Sequence, residues 1–375
     1  MTAARPVIDG HNDLAWNSRI RGIDPDLAND LTDTGLHTDL ARLRRGGVAA
    51  QFWSVYVPCP PDGDENRTVA MVLEQIDLVH RLVATYPADL ALATTADEVE
   101  RARKAGRVAS LLGAEGGHCI GSSLGVLRML YALGVRYLTL THAANTPWAD
   151  SATDEPAVGG LAPFGHEVVR EMNRLGMLVD LSHVAPSTMH AALDTSTAPA
   201  FFSHSSARAL CDHPRNVPDD VLTRVRDSDG VVMVTFVPYF LTEECRQWGK
   251  AAVAFESSLD EPLTSPQRIE QQDRWVKANP CPPCTVKDVA DHVEHVRAVA
   301  GVDAVGLGGD FDGTAVLPEG LTDVSGYPAL FEELAGRGWS EPELEKLGWG
   351  NALRVIRATE SPRPRSDWVK ATELP

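Results

Sequence analysis

The chain has 375 residues, 43% of them hydrophobic, which is enough for one large core or two modest ones. Acidic residues outnumber basic ones 52 to 34, for a formal charge of -18, and so negative a surface repels phosphate backbones and anionic lipid headgroups, which sets nucleic acid aside as a partner. No apolar run approaches the roughly 20 residues of a membrane helix, and the opening "MTAARPVIDG" lacks the apolar core of a secretion signal, so a cytoplasmic protein without membrane contact is expected. The six cysteines, Cys59, Cys119, Cys211, Cys245, Cys281 and Cys284, are too few and too scattered for a disulfide scaffold and read mostly as free thiols.

Taken in chain order, apolar runs that end in Gly or a polar residue alternate with segments of helical period such as "ADEVERARKAG" and "FGHEVVREMNRLG". The predicted strands are "RPVIDGH", "VAAQFWSVYV", "RVASLLGAE", "RYLTLTH", "MLVDLSH", "APAFFSH", "GVVMVTFV" and "AVGLGGDFD". Near-continuous apolar strands imply burial on both faces and hence a parallel sheet, and eight strand-helix units at this length favour a closed (β/α)8 TIM barrel over an open doubly wound sheet. One domain is expected over residues 1–359, with an irregular Pro-rich tail at 360–375. The charged segment 250–284 breaks the rhythm between the seventh and eighth strands. It reads as an inserted, lid-like segment on the catalytic face, where the loops after barrel strands lie.

The strand ends carry the chemistry. His11 and Asp13 follow the first predicted strand, Glu115 the third, His142 the fourth, His183 the fifth, His204 the sixth and Asp310 the eighth. In a parallel barrel these ends converge on one rim, so residues scattered over the chain can meet. Each taken singly has an ordinary reading as a turn cap or a hydrogen-bonded core histidine. Jointly they do not, because a strand-end histidine desolvates a titratable ring without packing gain. Imidazole and carboxylate donors without thiolate suit Zn²⁺ ahead of Mn²⁺ or Fe²⁺. Three histidines and two carboxylates exceed the needs of one catalytic zinc, so two ions sharing Glu115 are expected, with a hydroxide as a second bridge and hydrolysis as the chemistry. The other eight histidines read as surface or structural, His118 least clearly. Arg215, in the loop after the sixth strand, could grip a substrate carboxylate through paired hydrogen bonds. The "CPPC" at Cys281 and Cys284 lacks a second pair and reads as a local loop feature.

In this order, "DGHNDLAW", "GAEGG", "LTH", "VDLSH", "FSHS", "HPRN" and "GGDFDG" resemble the membrane dipeptidase (renal dipeptidase) family of zinc peptidases over nearly the whole chain. The resemblance implies a (β/α)8 barrel of the amidohydrolase kind that holds two zinc ions and hydrolyses dipeptides, tolerating a D-residue at the C-terminal position. It implies that His11 and Asp13 bind one ion, His183 and His204 the other, and that Glu115 bridges. His142 would steady the oxyanion, Arg215 would hold the substrate's terminal carboxylate, and Asp310, preferred to Asp312 for its strand-end position, would carry the proton to the leaving amine. It further implies a homodimer, and it places a disulfide near Cys211 and Cys245, against which a reducing cytosol argues. Two other readings fit the same barrel. Another metal-dependent amidohydrolase acting on a small amide, ester or lactone commonly carries "HxH" after the first strand, where this chain has "HND". A catalytically inactive binding barrel would have lost ligands, yet all are present.

Overall fold

The computed structural model describes residues 5–60, 63–260 and 265–360. Apart from Glu360, the predicted tail lies outside them. Nine strands form one parallel sheet: β1 (Val7–Asn12), β2 (Val48–Ser54), β3 (Leu90–Leu92), β4 (Val108–Glu115), β5 (Val135–Thr139), β6 (Leu178–Asp180), β7 (Phe201–Phe202), β8 (Val231–Val234) and β9 (Val305–Leu307). Beside β1 run β2 and β9, and β2 pairs with β4, which closes a ring of eight strands, the (β/α)8 barrel. The eight predicted strands are the eight staves of this ring. The ninth, β3, went unpredicted because "LAL" is too short to show a period. It pairs only with the first half of β4, Leu90 beside Val108 and Leu92 beside Ser110, and leaves the second half to β5.

Burial explains why the staves are apolar. Ile8, Phe52, Leu111, Tyr137, Leu178, Phe201, Val231 and Met233 fill the barrel, and the helix Asn351–Thr359 contributes Val355 and Ile356 to the same cluster. A second, larger apolar layer lies between strands and surrounding helices. The register then aligns the catalytic rim: Glu115 of β4 lies beside Thr139 of β5, Thr139 beside Asp180 of β6, and Asp180 beside Phe201 of β7. The residues that follow β6 and β7 therefore emerge at one level.

After β8 the chain departs from the strand-helix rhythm. A helix over Glu243–Ser257 starts ahead of residue 250, because Thr242 caps it by accepting the Cys245 amide at 3.2 Å. It packs against a second helix, Pro266–Ala278, through Trp248 and Phe255 on one side and Trp275 on the other, with ring centroids 5.6 and 5.4 Å apart. The CPPC turn follows, and then the helix Val286–Ala300, which opens on a capping box of Thr285 and Asp288. All six cysteines are free thiols, so the disulfide implied near Cys211 and Cys245 is not formed.

Gly113 shows how tightly the barrel is filled. A Cβ there would overlap the Tyr137 ring, which is fully buried. Gly113→Ala should lower stability by about 3 kcal/mol in denaturant unfolding, whereas Gly336→Ala, with open space around it, should shift it by no more than about 1 kcal/mol.

Candidate functional site

The rim is built from short departures at the strand ends. Asp13 occupies the N-cap of the helix Leu14–Arg21, yet its carboxylate caps nothing. Asn12 takes over that work by accepting the Leu14 amide at 2.9 Å, which leaves Asp13 Oδ2 3.1 Å from His11 Nε2 and Asp13 Oδ1 buried without a partner. His183 and Asp310 have φ of +69° and +58°. Non-glycine residues hold that left-handed conformation only when their surroundings impose it, and such strain gathers at functional sites. At His183 the imposing contacts are the Ala152 amide, 2.8 Å from its carbonyl oxygen, and the Thr141 hydroxyl, at 3.2 Å.

Glu115 is the centre of the arrangement. Its Oε1 lies 2.8 Å from His183 Nε2, 3.4 Å from His204 Nε2 and 3.7 Å from His142 Nε2, while Oε2 lies 3.4 Å from His11 Nε2 and accepts from Ser54 Oγ at 3.3 Å. His183 Nε2 and His204 Nε2 are 2.9 Å apart. Three overlapping groups have ligand atoms within 4.8 Å of one another: His11, Glu115 and His204; Glu115, His142 and His183; and His11, Asp13 and Asp310. The seven strand-end residues singled out in the sequence are thus in one cluster, as barrel convergence requires.

A second sphere orients the imidazoles, and here sequence reasoning missed residues. Asp180 accepts from Ser203 Oγ at 2.6 Å, so the Ser203 oxygen is left to accept from His204 Nδ1 at 2.8 Å, which turns the bare Nε2 of His204 into the cavity. Asp180 also accepts from Thr139 Oγ1 at 2.6 Å and from the Ser203 and Ser182 amides at 2.8 and 3.1 Å. It thereby ties β5, β6 and β7 together at the rim. On the other side Tyr137 Oη is 2.8 Å from His11 Nδ1. The available signal was a polar residue inside an apolar strand, Asp180 in "VDLSH" and Ser203 in "FSHS", each of which had to be buried and therefore bonded.

The field of the site follows from burial and charge. Burial opposes ionisation of Glu115, yet His11 and His142 beside it hold the carboxyl well below the usual range. Burial, with the Arg215 cation nearby, keeps His183 and His204 well below the usual imidazole range and thus neutral, as metal ligands must be. Against the burial that alone would lower it, Tyr137, Glu115 and Asp13 raise His11. The same carboxylates that draw a proton onto His11 would draw a metal cation. Burial also pushes His142 down to about 4, so its ring is neutral at pH 7. Burial, reinforced by Asp13 and Glu115, lifts the Asp310 carboxyl to about 8.

The two aspartates of "GGDFDG" divide the work. Asp310 faces His11 and Asp13, whereas Asp312 Oδ1 accepts from the His37 amide at 2.7 Å and from Asn17 Nδ2 at 3.2 Å. Directly after them, a Cβ at Gly313 would strike the carboxylates of both Asp13 and Asp310. Arg215 is buried. Its Nη2 donates to the His204 carbonyl at 3.2 Å, its Nη1 lies 3.5 Å from Ser205 Oγ, and its guanidinium sits 5.2 Å from the Phe240 ring centroid. Among the described residues no carboxylate approaches it within 4.0 Å, and its Nε is buried without a partner. His118, the doubtful case, points away from the rim: its Nε2 donates to the Val57 carbonyl at 2.9 Å and its Nδ1 faces Cys59 at 3.6 Å.

These groups open into a cavity of about 1010 Å³ lined by Asp13, Glu115, His142, His183, Arg215 and Asp310, together with both helices that follow β8. From the helices, Arg246, Lys250, Ile269 and Gln272 face it. No helix among the described residues is long and apolar enough to cross a membrane.

A model of the membrane dipeptidase family, peptidase family M19, matches residues 1–369. The chain is 44% identical over 367 residues to an uncharacterized dipeptidase of Schizosaccharomyces pombe, covering 95% of this chain and 81% of that protein. It is 43% identical over 372 residues to human Dipeptidase 3, covering 96% of this chain but only 66% of the human protein. A crystal structure of a metallopeptidase from Rhodobacter sphaeroides, liganded with a phosphinate mimic of the dipeptide L-Ala-D-Ala, superposes with a TM-score of 0.76 at 25% identity, covering 95% of this chain and 99% of that one. By sequence over its whole described length and by fold, the chain belongs to the membrane dipeptidase family of metallopeptidases.

Proposed function

We propose that this protein is a binuclear zinc dipeptidase that cleaves the peptide bond of dipeptides, including those with a D-residue at the C-terminal position. The observation that carries the reading is the division of Glu115, one oxygen toward His11 and the other toward His183 and His204. A carboxylate placed so is suited to two cations at once. His11 and Asp13 would hold one ion and His183 and His204 the other. The donor set of imidazoles and carboxylates fits zinc, and the buried, unpartnered Asp13 Oδ1 is an oxygen that a cation would satisfy. When bound, the two ions activate water at neutral pH and polarise the peptide carbonyl.

The remaining steps belong to side chains of this chain. Arg215, a buried guanidinium without a carboxylate partner among the described residues, grips the free carboxylate next to the scissile bond through charge-assisted hydrogen bonds. A longer peptide has an amide there, so dipeptides are selected over proteins. His142, on the cavity wall beside Glu115, donates its Nε2 proton toward the carbonyl oxygen as negative charge develops on it. Asp310, beside His11 and Asp13, would take the proton from the attacking water in its carboxylate form and would pass it to the leaving amine. Cations held by these neighbours would favour that form over the protonated one that burial and Asp13 favour without them. The L-Ala-D-Ala mimic bound by the Rhodobacter sphaeroides relative supports acceptance of a D-residue. The helices after β8 act as a lid that contacts the substrate's side chains. Six free thiols suit a reducing cytoplasm.

Three substitutions test the roles. Asp310→Asn should cut kcat by roughly 10³-fold with zinc content measured by emission spectroscopy unchanged; loss of zinc would make Asp310 a ligand instead. Arg215→Ala should raise KM for free dipeptides about 100-fold and leave their C-terminal amides untouched, and equal damage to both would contradict the clamp. Ser203→Ala, which frees the His204 ring, should weaken zinc affinity in chelator competition by about tenfold or more.

A further inference from the structure

Outside the catalytic rim, Cys245 is packed against the turn that carries Cys281 and Cys284. Cys245 lies in the first turn of the helix Glu243–Ser257, and Cys281 and Cys284 bracket the two prolines that follow the helix Pro266–Ala278. The Cys245 thiol reaches into that turn. Its Sγ lies 3.5 Å from the carbonyl oxygen of Pro282, the residue next to Cys281 and two before Cys284. Cys245 and Cys284 are buried, whereas Cys281 is partly exposed. The three sulfurs are not among the groups whose ligand atoms all lie within 4.8 Å of one another, so pairwise chemistry fits them better than a shared metal ion. Cys211 stands apart, its thiol turned to the Tyr239 carbonyl.

We propose that Cys245, Cys281 and Cys284 form a thiol–disulfide exchange site that accepts low-molecular-weight disulfides and, when oxidised, joins Cys245 to Cys281. The accessible Cys281 thiolate attacks one sulfur of a disulfide RSSR, forming a mixed disulfide and releasing RS⁻. Buried Cys245, as thiolate, then attacks the Cys281 sulfur, breaks the mixed bond and releases the second RS⁻. The two protons lost by the protein end on the two RS⁻ groups, the protein loses two electrons, and RSSR is reduced to two RSH. The linkage is reversed by two equivalents of a low-molecular-weight thiol RSH, which return both cysteines to thiols and leave as RSSR.

The position gives the linkage a consequence. Cys245 and Cys281 stand at the start and just past the end of the two helices that line the cavity through Arg246, Lys250, Ile269 and Gln272. A bond between them closes that pair of helices at its base and removes its freedom to open. The turn is also fastened to the segment that follows Asp310, since Glu319 donates its amide to the Cys284 carbonyl at 2.8 Å and accepts from the Val286 amide at 2.9 Å. Two walls of the cavity therefore share this anchor.

The inference does not depend on the dipeptidase reading, and neither does its test. The full-length protein, with its metal retained, is equilibrated with excess glutathione disulfide, its remaining thiols are alkylated, and its peptides are mapped by mass spectrometry. A Cys245–Cys281 peptide should accumulate, the thiol count should fall by two, and amide hydrogen exchange over residues 243–278 should slow at least about tenfold. Cys284→Ser should keep the linkage and Cys245→Ser should abolish both it and the slowing. Six thiols surviving in excess disulfide, a bond confined to Cys281 and Cys284, or a bond from Cys245 to Cys211 would each overturn the proposal.

Discussion

A carboxylate buried among imidazoles at the end of a strand is tolerable only if positive charge comes to share its space, and Glu115 imposes that condition on everything around it. Burial alone would lower His11, but Tyr137, Glu115 and Asp13 push its imidazole well above the usual range. His183 and His204 stay neutral beside it, with ring nitrogens aimed at the same oxygen. Buried carboxylates set among imidazoles favour a cation, and the closed barrel holds these donors in register.

The barrel does this through its rim rather than its staves. Asp180 reaches β5, β6 and β7 at once and, by way of Ser203, decides which nitrogen of His204 is bare. Asp9 does similar work on the other side, where its carboxylate accepts from the amides of His11 and Gly309 and joins β1 to the end of β9. Left-handed backbone at His183 and Asp310 is the local strain that this framework sustains. The orientation of His204 and of His11 is thus owed to the buried side chains of Ser203 and Tyr137 behind them.

Much of this was legible in the sequence, for a physical reason. Strands buried on both faces must be apolar, so a histidine or carboxylate at the end of such a run stands out, and parallel topology turns a list of scattered strand ends into one place. That is why His11, Asp13, Glu115, His142, His183, His204 and Asp310 could be singled out together. What stayed hidden lacked such contrast. Strand β3 is too short to show a period. Thr242 and the two glutamates after it announce a helix start ahead of the charged stretch at 250, but only when read as a cap. Tyr137 looks like any core aromatic until its hydroxyl is seen on His11. The Cys245 contact with the CPPC turn spans two helices and has no local signature.

The central claim is that Glu115 serves two cations at once. Anomalous diffraction from zinc-loaded crystals, collected on both sides of the zinc absorption edge, addresses it most directly. Two peaks should appear, one between Glu115 and the His11–Asp13 pair and one between Glu115 and the His183–His204 pair. A single peak, or two that leave Glu115 outside the coordination of either, would contradict the account.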